Sequence, residues 1–283
     1  MGKLIQHIYK LLKLIFMKTK LFAKNVVGVS AKRIGTVLLL LCGLVSCSPT
    51  PKTLENNINW PEFLAQHDLV WEETPQQWNE GAFTGNGQVG MMIYATMDDN
   101  RLDFHMGRQD VTDHRLAPDE KTSMGVKEAG LLDFSRLDIG KMYLRPAGKI
   151  QSVKVRQYLW NAEVKGTLVT DLGELTFRAF TPYDKMLNVI EVSSSEKKDG
   201  KPVAYNWEWK AGNPVSPRTL AMPDRYKDYL PNPKPVVTEN DGTGICVQTL
   251  LAGGDYATVW KEHKTSESAS TLYISTANEI PAK

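Results

Sequence analysis

Residues 151–181, QSVKVRQYLWNAEVKGTLVTDLGELTFRAFT, decide the fold. Apolar and polar positions alternate through Val153, Val155, Gln157 and Leu159, and again through Leu175, Phe177 and Ala179. Successive side chains of an extended chain point to opposite faces, so a period of two marks a strand with one face buried. Asn, Asp and Gly punctuate the stretch into strands over 151–159, 163–170 and 174–181. Outward from it the rhythm continues at 141–144 and 187–193, and at 203–209, where Tyr205, Trp207 and Trp209 share one face and Asn206 and Glu208 the other. Residues 218–237 carry four prolines and read as an irregular excursion. Strands at 245–251 and 256–261, around the turn Ala252-Gly253-Gly254-Asp255, and at 270–276 follow. Short strands at near-regular spacing predict an all-β chain, an antiparallel β-sandwich.

Towards the N-terminus stands WNEGAFTGNGQVGMMIYATMDDNRLDFHMGRQDVTDHR, residues 78–115. It reads as a polar corner, a Gly85-Asn86-Gly87 turn, an apolar strand from Val89 to Met97, a reversal at Asp98-Asp99-Asn100 and a return strand through Leu102, Phe104 and Met106. That hairpin delivers Arg108, Asp110, Asp113, His114 and Arg115 to one end. A packed scaffold holding polar loop residues is what a site needs. The Gly-Asn-Gly turn is followed by a strand, not a helix, so it serves turn geometry rather than phosphate binding.

The chain of 283 residues is 42% hydrophobic and 23% charged, which suits a globular protein with a sizeable core. Eight basic and no acidic residues lie in 1–46, and setting them aside leaves 26 Lys and Arg against 32 Asp and Glu. A formal charge of −6 on the remainder gives no general attraction for nucleic acid. Residues 1–47 read as a leader: Lys32 and Arg33 precede the apolar run Val37–Leu41, and Leu44-Val45-Ser46-Cys47 resembles a bacterial lipobox. That resemblance implies lipidation at Cys47, export, and anchorage in the cell envelope at the outer membrane. The apolar segment is too short to span a bilayer of roughly 30 Å, and Met17 offers an alternative start. Residues 48–67 form a tether and lead-in, with a weak helical or extended segment at 59–66, and the sandwich domain is expected over 68–280. Residues 117–127 read as a polar surface insertion. Cys246, alone in an apolar alternation, reads as a buried strand residue, and no disulfide is expected.

The run Trp78-Asn79-Glu80-Gly81, then Gly85-Asn86-Gly87-Gln88-Val89-Gly90-Met91-Met92-Ile93-Tyr94, resembles the opening of the N-terminal β-sandwich, of supersandwich type, of glycoside hydrolase family 95, the α-L-fucosidase-like proteins. The order of strands over 139–192, ending in Arg178-Ala179-Phe180-Thr181-Pro182, is similar as well. The GRQDVTDHR segment departs from the fucosidase pattern and is closer to a related domain-of-unknown-function family, number 5703, in its N-terminal part. The resemblance implies an accessory module that packs on an (α/α)6 catalytic barrel and lines a sugar cleft. The catalytic carboxylates of that family lie in the barrel, so no catalytic residue carries over, and the chain reads as the front part of a larger hydrolase. The alternative is a free-standing glycan-binding lipoprotein of the cell envelope without catalytic activity. Partners implied are a carbohydrate, the barrel, and the membrane through the N-terminal lipid.

Residues expected at the cleft or domain junction are Trp78, Asn79, Glu80, Asn86, Arg108, Asp110, Asp113, His114 and Arg115. Trp78 in a polar corner suits stacking on a sugar, whereas Trp207 and Trp209 beside Tyr205 suit core packing. Arg108 and Arg115 are forked donors for sugar groups or ion-pair partners of Asp110 and Asp113. Asp103, His105, Asp110, Asp113 and His114 are of metal-ligating types. Asp103 and His105 share a strand face, but against an apolar core they make poor ligands. No metal and no cofactor are expected.

Overall fold

The computed structural model describes residues 58–113, 135–221 and 230–279. The leader with Cys47, most of the tether, His114, Arg115 and the insertion at 117–127 lie outside them. The compact unit spans Asn59–Lys283. It opens with a short helix α1 (Trp60–Ala65), within the expected lead-in, started by Pro61 in its first turn. Strands β1 (Leu69–Trp71), β2 (Ala82–Gly85), β3 (Val89–Thr96) and β4 (Arg101–Arg108) follow. Next come β5 (Thr112–Asp113), β6 (Ser135–Arg136), β7 (Gly140–Arg145), β8 (Ile150–Tyr158), β9 (Glu163–Thr170), β10 (Gly173–Phe180) and β11 (Asn188–Ser194). Then β12 (Lys197–Lys198), β13 (Lys201–Pro202), β14 (Asn206–Ala211), helix α2 (Pro217–Ala221), β15 (Val236–Asn240), β16 (Thr243–Thr249), β17 (Asp255–Lys264) and β18 (Ala269–Glu279) complete the order. No helix among the described residues is long and apolar enough to cross a membrane.

Two antiparallel sheets make the sandwich. The larger has nine strands in the order β1-β8-β9-β10-β11-β18-β17-β16-β15, and the smaller has five, β14-β7-β4-β3-β2. Two-stranded ribbons, β5-β6 and β12-β13, hang from them. The alternation read over 151–181 buries Val153, Val155, Leu175, Phe177 and Ala179. Leu159 departs from it and is exposed, because its N–H bonds the Asp68 carboxylate just past the end of β8 and the chain turns away. Phe104 of β4 meets Phe177 of β10 edge to face at 5.8 Å, and Trp209 of β14 stacks on Trp260 of β17 at 5.0 Å. These contacts lock the two sheets together, since each aromatic buries roughly 150–250 Å². Cys246 is buried beside Trp209, and burial pushes its thiol up. Strand β15 begins at the last two residues of the stretch read as irregular, 218–237, and runs on to Asn240. Prolines 231, 233 and 235 stop just before it, and all five of its residues are exposed at the sheet edge, so no burial alternation marks it.

The reversal at 97–100 is a single 3-10 turn ended by Asn100 in the left-handed region. The Asn100 amide bonds the Gly148 carbonyl and the Ile150 N–H, riveting the hairpin to the start of β8.

Candidate functional site

Along the hairpin, Met91, Ile93, Ala95, Leu102, Phe104 and Met106 enter the core, and Val89 is buried beside them in sequence. Alternation therefore turns Phe83, Met92, Tyr94, Asp103, His105 and Gly107 to the outer face of the small sheet. This corrects the expectation that Asp103 and His105 face the core: their neighbours Leu102, Phe104 and Met106 do. The register then aligns one residue from each of the five strands. Phe83 pairs with Met92, Met92 with His105, His105 with Lys141, and Lys141 with Lys210. Four strand spacings of about 4.8 Å make this row roughly 19 Å long, apolar at β2 and cationic at β14.

Two adjoining cavities lie along the row. The first, about 680 Å³, is walled by Trp78, Phe83, Met92, His105, Arg136 and Asp138. Trp78 is 62% exposed and Phe83 50%. The same cavity has no side chain at Gly107, where a Cβ would meet nothing within 4 Å. The second cavity, about 430 Å³, is lined by Asp138, Lys141, Tyr143, Lys210 and Asn213. Asp138 belongs to both.

Asp138 Oδ1 lies 2.8 Å from His105 Nε2 and accepts the Gly140 N–H at 3.1 Å. Burial pushes this carboxyl up, but the His105 hydrogen bond and charge, the Gly140 N–H and Lys141 outweigh it, and its pKa sits below the usual carboxylate range. The backbone around it is tight: a Cβ on Gly212 would stand 1.7 Å from the Asp138 carbonyl oxygen, so only glycine allows β14 to end here. Burial lowers the Lys141 ammonium, yet the hydrogen bond to Tyr94 and the nearby Asp103 carboxylate raise it above its ordinary value, so it stays charged. Tyr94 and Tyr143 are pushed up by burial and remain neutral phenols.

Beneath this surface Asp103 is fully buried. Its Oδ2 accepts from Thr96 at 2.8 Å and Arg101 at 3.1 Å, and its Oδ1 has no hydrogen-bond partner among the described residues. The Arg101 guanidinium also covers the Tyr143 ring at 4.1 Å. These contacts hold the Tyr143 end of the face in place.

Of the residues expected at the site, Trp78 and Arg108 line the first cavity. Arg108 is committed to protein: its Nε and Nη2 hold Asp110 at 2.5 and 2.9 Å, and Nη1 donates to the Thr276 carbonyl. The Arg108 hydrogen bond holds Asp110 below the usual carboxylate range. Asn86 is likewise spent on backbone. Its Oδ1 accepts the Gln88 and Val89 N–H groups, and its Nδ2 donates to the Pro182 and Lys185 carbonyls, tying the hairpin to the large sheet. Glu80 presents its carbonyl to Trp71 Nε1 at 2.6 Å, and Asn79 is exposed beside it. Asp113 is fully buried and accepts from Asn232 Nδ2 at 3.0 Å. His114 and Arg115 lie outside the described residues.

Phe83, Met92, Asp138, Lys141 and Lys210 were not expected at a site, and the sequence marks His105 only as a metal-ligating type. Outward alternation along β7 and β14 is the one sequence signal that marks Lys141 and Lys210. Their assembly is a matter of register. A scan of the chain against protein-family models finds no match, and a search of curated proteins finds none. The class defined by the geometry is an antiparallel β-sandwich with a groove across the outer face of its smaller sheet.

Proposed function

We propose that this sandwich is an accessory, glycan-contacting module of a carbohydrate-processing hydrolase of the family 95 kind, lipid-anchored in the bacterial cell envelope through Cys47. Its small sheet lines one side of a sugar cleft. The observation that carries this reading is that two exposed rings, Trp78 and Phe83, line the same cavity as the hydrogen-bonded His105–Asp138 pair. Flat aromatic faces suit the CH face of a sugar ring, while a few placed polar groups fix its hydroxyls. His105 and Gly140 both engage Asp138 Oδ1, which leaves Oδ2 as an acceptor for a ligand hydroxyl. Asp138, the carboxylate shared by the two cavities, is held below the usual range and is suited to accept hydrogen bonds from sugar hydroxyls.

Because rings, acceptor and donors all belong to this chain, binding is measured on the full chain in detergent, against a panel of neutral, fucosylated and charged oligosaccharides. Trp78→Ala is expected to weaken the best binder roughly tenfold. A wild-type chain that binds no glycan of the panel overturns the proposal.

A further inference from the structure

The cationic end of the row deepens this reading by naming the ligand class, and it rests on it. Lys141 and Lys210 stand directly opposite each other on β7 and β14. Like charges at directly opposed positions of an antiparallel pair repel. Every other cation of this face that the register brings near them has a partner: Arg101 with Asp99 and Asp103, Arg145 with Glu208, His105 with Asp138. Among the described residues, neither Lys141 nor Lys210 has an ion-pair partner. The cavity of about 430 Å³ beside them also presents Tyr143, Asn213 and Asp138. Asp138 is already paired with His105 through Oδ1, and Lys141 also has the Tyr94 hydroxyl and the buried Asp103 nearby. Lys210 has no carboxylate within ion-pair distance among the described residues, and its charge faces the cavity.

We infer that the groove takes an anionic oligosaccharide, a chain carrying uronate carboxylates or sulfate esters, with one such group seated between Lys141 and Lys210 and a sugar ring against Trp78 and Phe83. A neutral sugar leaves the two ammonium groups opposed, whereas an anion between them turns the repulsion into two charge-assisted hydrogen bonds. The row of roughly 19 Å separates the apolar end from the cationic end, so the ligand spans several sugar units rather than one.

The test uses the full chain in detergent and oligosaccharides of galacturonate, its methyl ester, hyaluronan, chondroitin sulfate, neutral galactan and a fucosylated glycan. Binding is expected to the charged members, at least tenfold weaker to the methyl ester than to the matching galacturonate, and reduced as salt rises. Lys210 is exposed on an edge strand, so Lys210→Gln leaves the melting temperature in place, and it is expected to weaken charged ligands about fivefold. Lys141→Gln with Lys210→Gln weakens them further. Neutral glycans bound as tightly as charged ones, or charged ligands unaffected by Lys210→Gln, overturn this inference and leave the glycan reading standing. No binding to any member overturns both.

Discussion

Each sheet carries a row of cations on its outer face, and only one of the rows is open. On the large sheet Arg156, Lys165 and Arg178 stand in register across β8, β9 and β10, continuing to Glu191 on β11. A trough of about 710 Å³ lies over them, larger than either cavity of the small sheet. Yet every member is answered: Arg156 by Asp68 at 3.0 Å, Lys165 by Glu163 at 2.7 Å, and Arg178 by Glu163 and by Glu191 at 3.1 Å. The cations also lie over Tyr158 and Phe180. Glu163, its side chain 3% exposed, is the hub. Burial pushes its carboxyl up, and hydrogen bonds from Lys165, Arg178 and Asn161 bring it below the usual range. On the small sheet the pairing stops short of Lys141 and Lys210. Cavity size and charge type are alike on the two faces, so what distinguishes them is how far their charges are already paired.

The comparison can be broken most severely at the core that both faces share. Phe104 packs on Phe177 beneath the large-sheet row and lies 5.9 Å from the Trp207 ring on the small-sheet side. Phe104→Ala is expected to cost about 4 kcal/mol in urea denaturation. Fluorescence and circular dichroism should report one transition, and two separate transitions would mean that the faces do not share a foundation. Next in size is Glu163→Gln, which strips the large-sheet row of its hub. The flanking cations are two-fifths exposed or more and rehydrate, so a loss of about 2 kcal/mol is expected. The same variant should bind chondroitin sulfate on the large sheet, and failure to do so would show that pairing is not what closes that face.

A smaller effect sharpens the small-sheet side. The Asp138 pKa is lower in the folded chain than the unfolded value of about 3.9, so the ionised carboxylate stabilises the fold fully above that value. Its contribution is lost as the pH falls through the lower folded pKa. Asp138→Asn is therefore expected to lose about 1 kcal/mol at pH 7. The two stability profiles should converge in acid, and a constant gap down to the lowest pH would sink the assignment. Smallest is Arg156→Ala: the guanidinium is largely exposed, and its buried partner Asp68 keeps the Leu159 N–H, so a change of under about 1 kcal/mol is expected.

The sandwich was legible because its strands alternate cleanly, as Val153 to Val155 and Leu175 to Ala179 do, and because turn residues separate them. Strand β15 was not, since an exposed edge strand has no buried face to impose a pattern. The hairpin at 78–108 was legible as structure; that Arg108, Asp110 and Asn86 hold backbone and one another was not, because residue type alone does not show which partners the fold supplies. The row from Phe83 to Lys210 draws one residue from each of five strands spread over 128 residues of sequence. No local window contains it, and it exists only once the hydrogen-bond register is set.

That register has a consequence for change over time. The spacing of the row is set by backbone hydrogen bonds, which do not depend on which side chain occupies each strand. A substitution at Phe83, Met92 or Lys210 alters one contact and leaves its neighbours at the same pitch. The outer face is thus a template that can be rewritten one strand at a time, so that its charge can be changed at the two lysines alone while the fold beneath stays as it is.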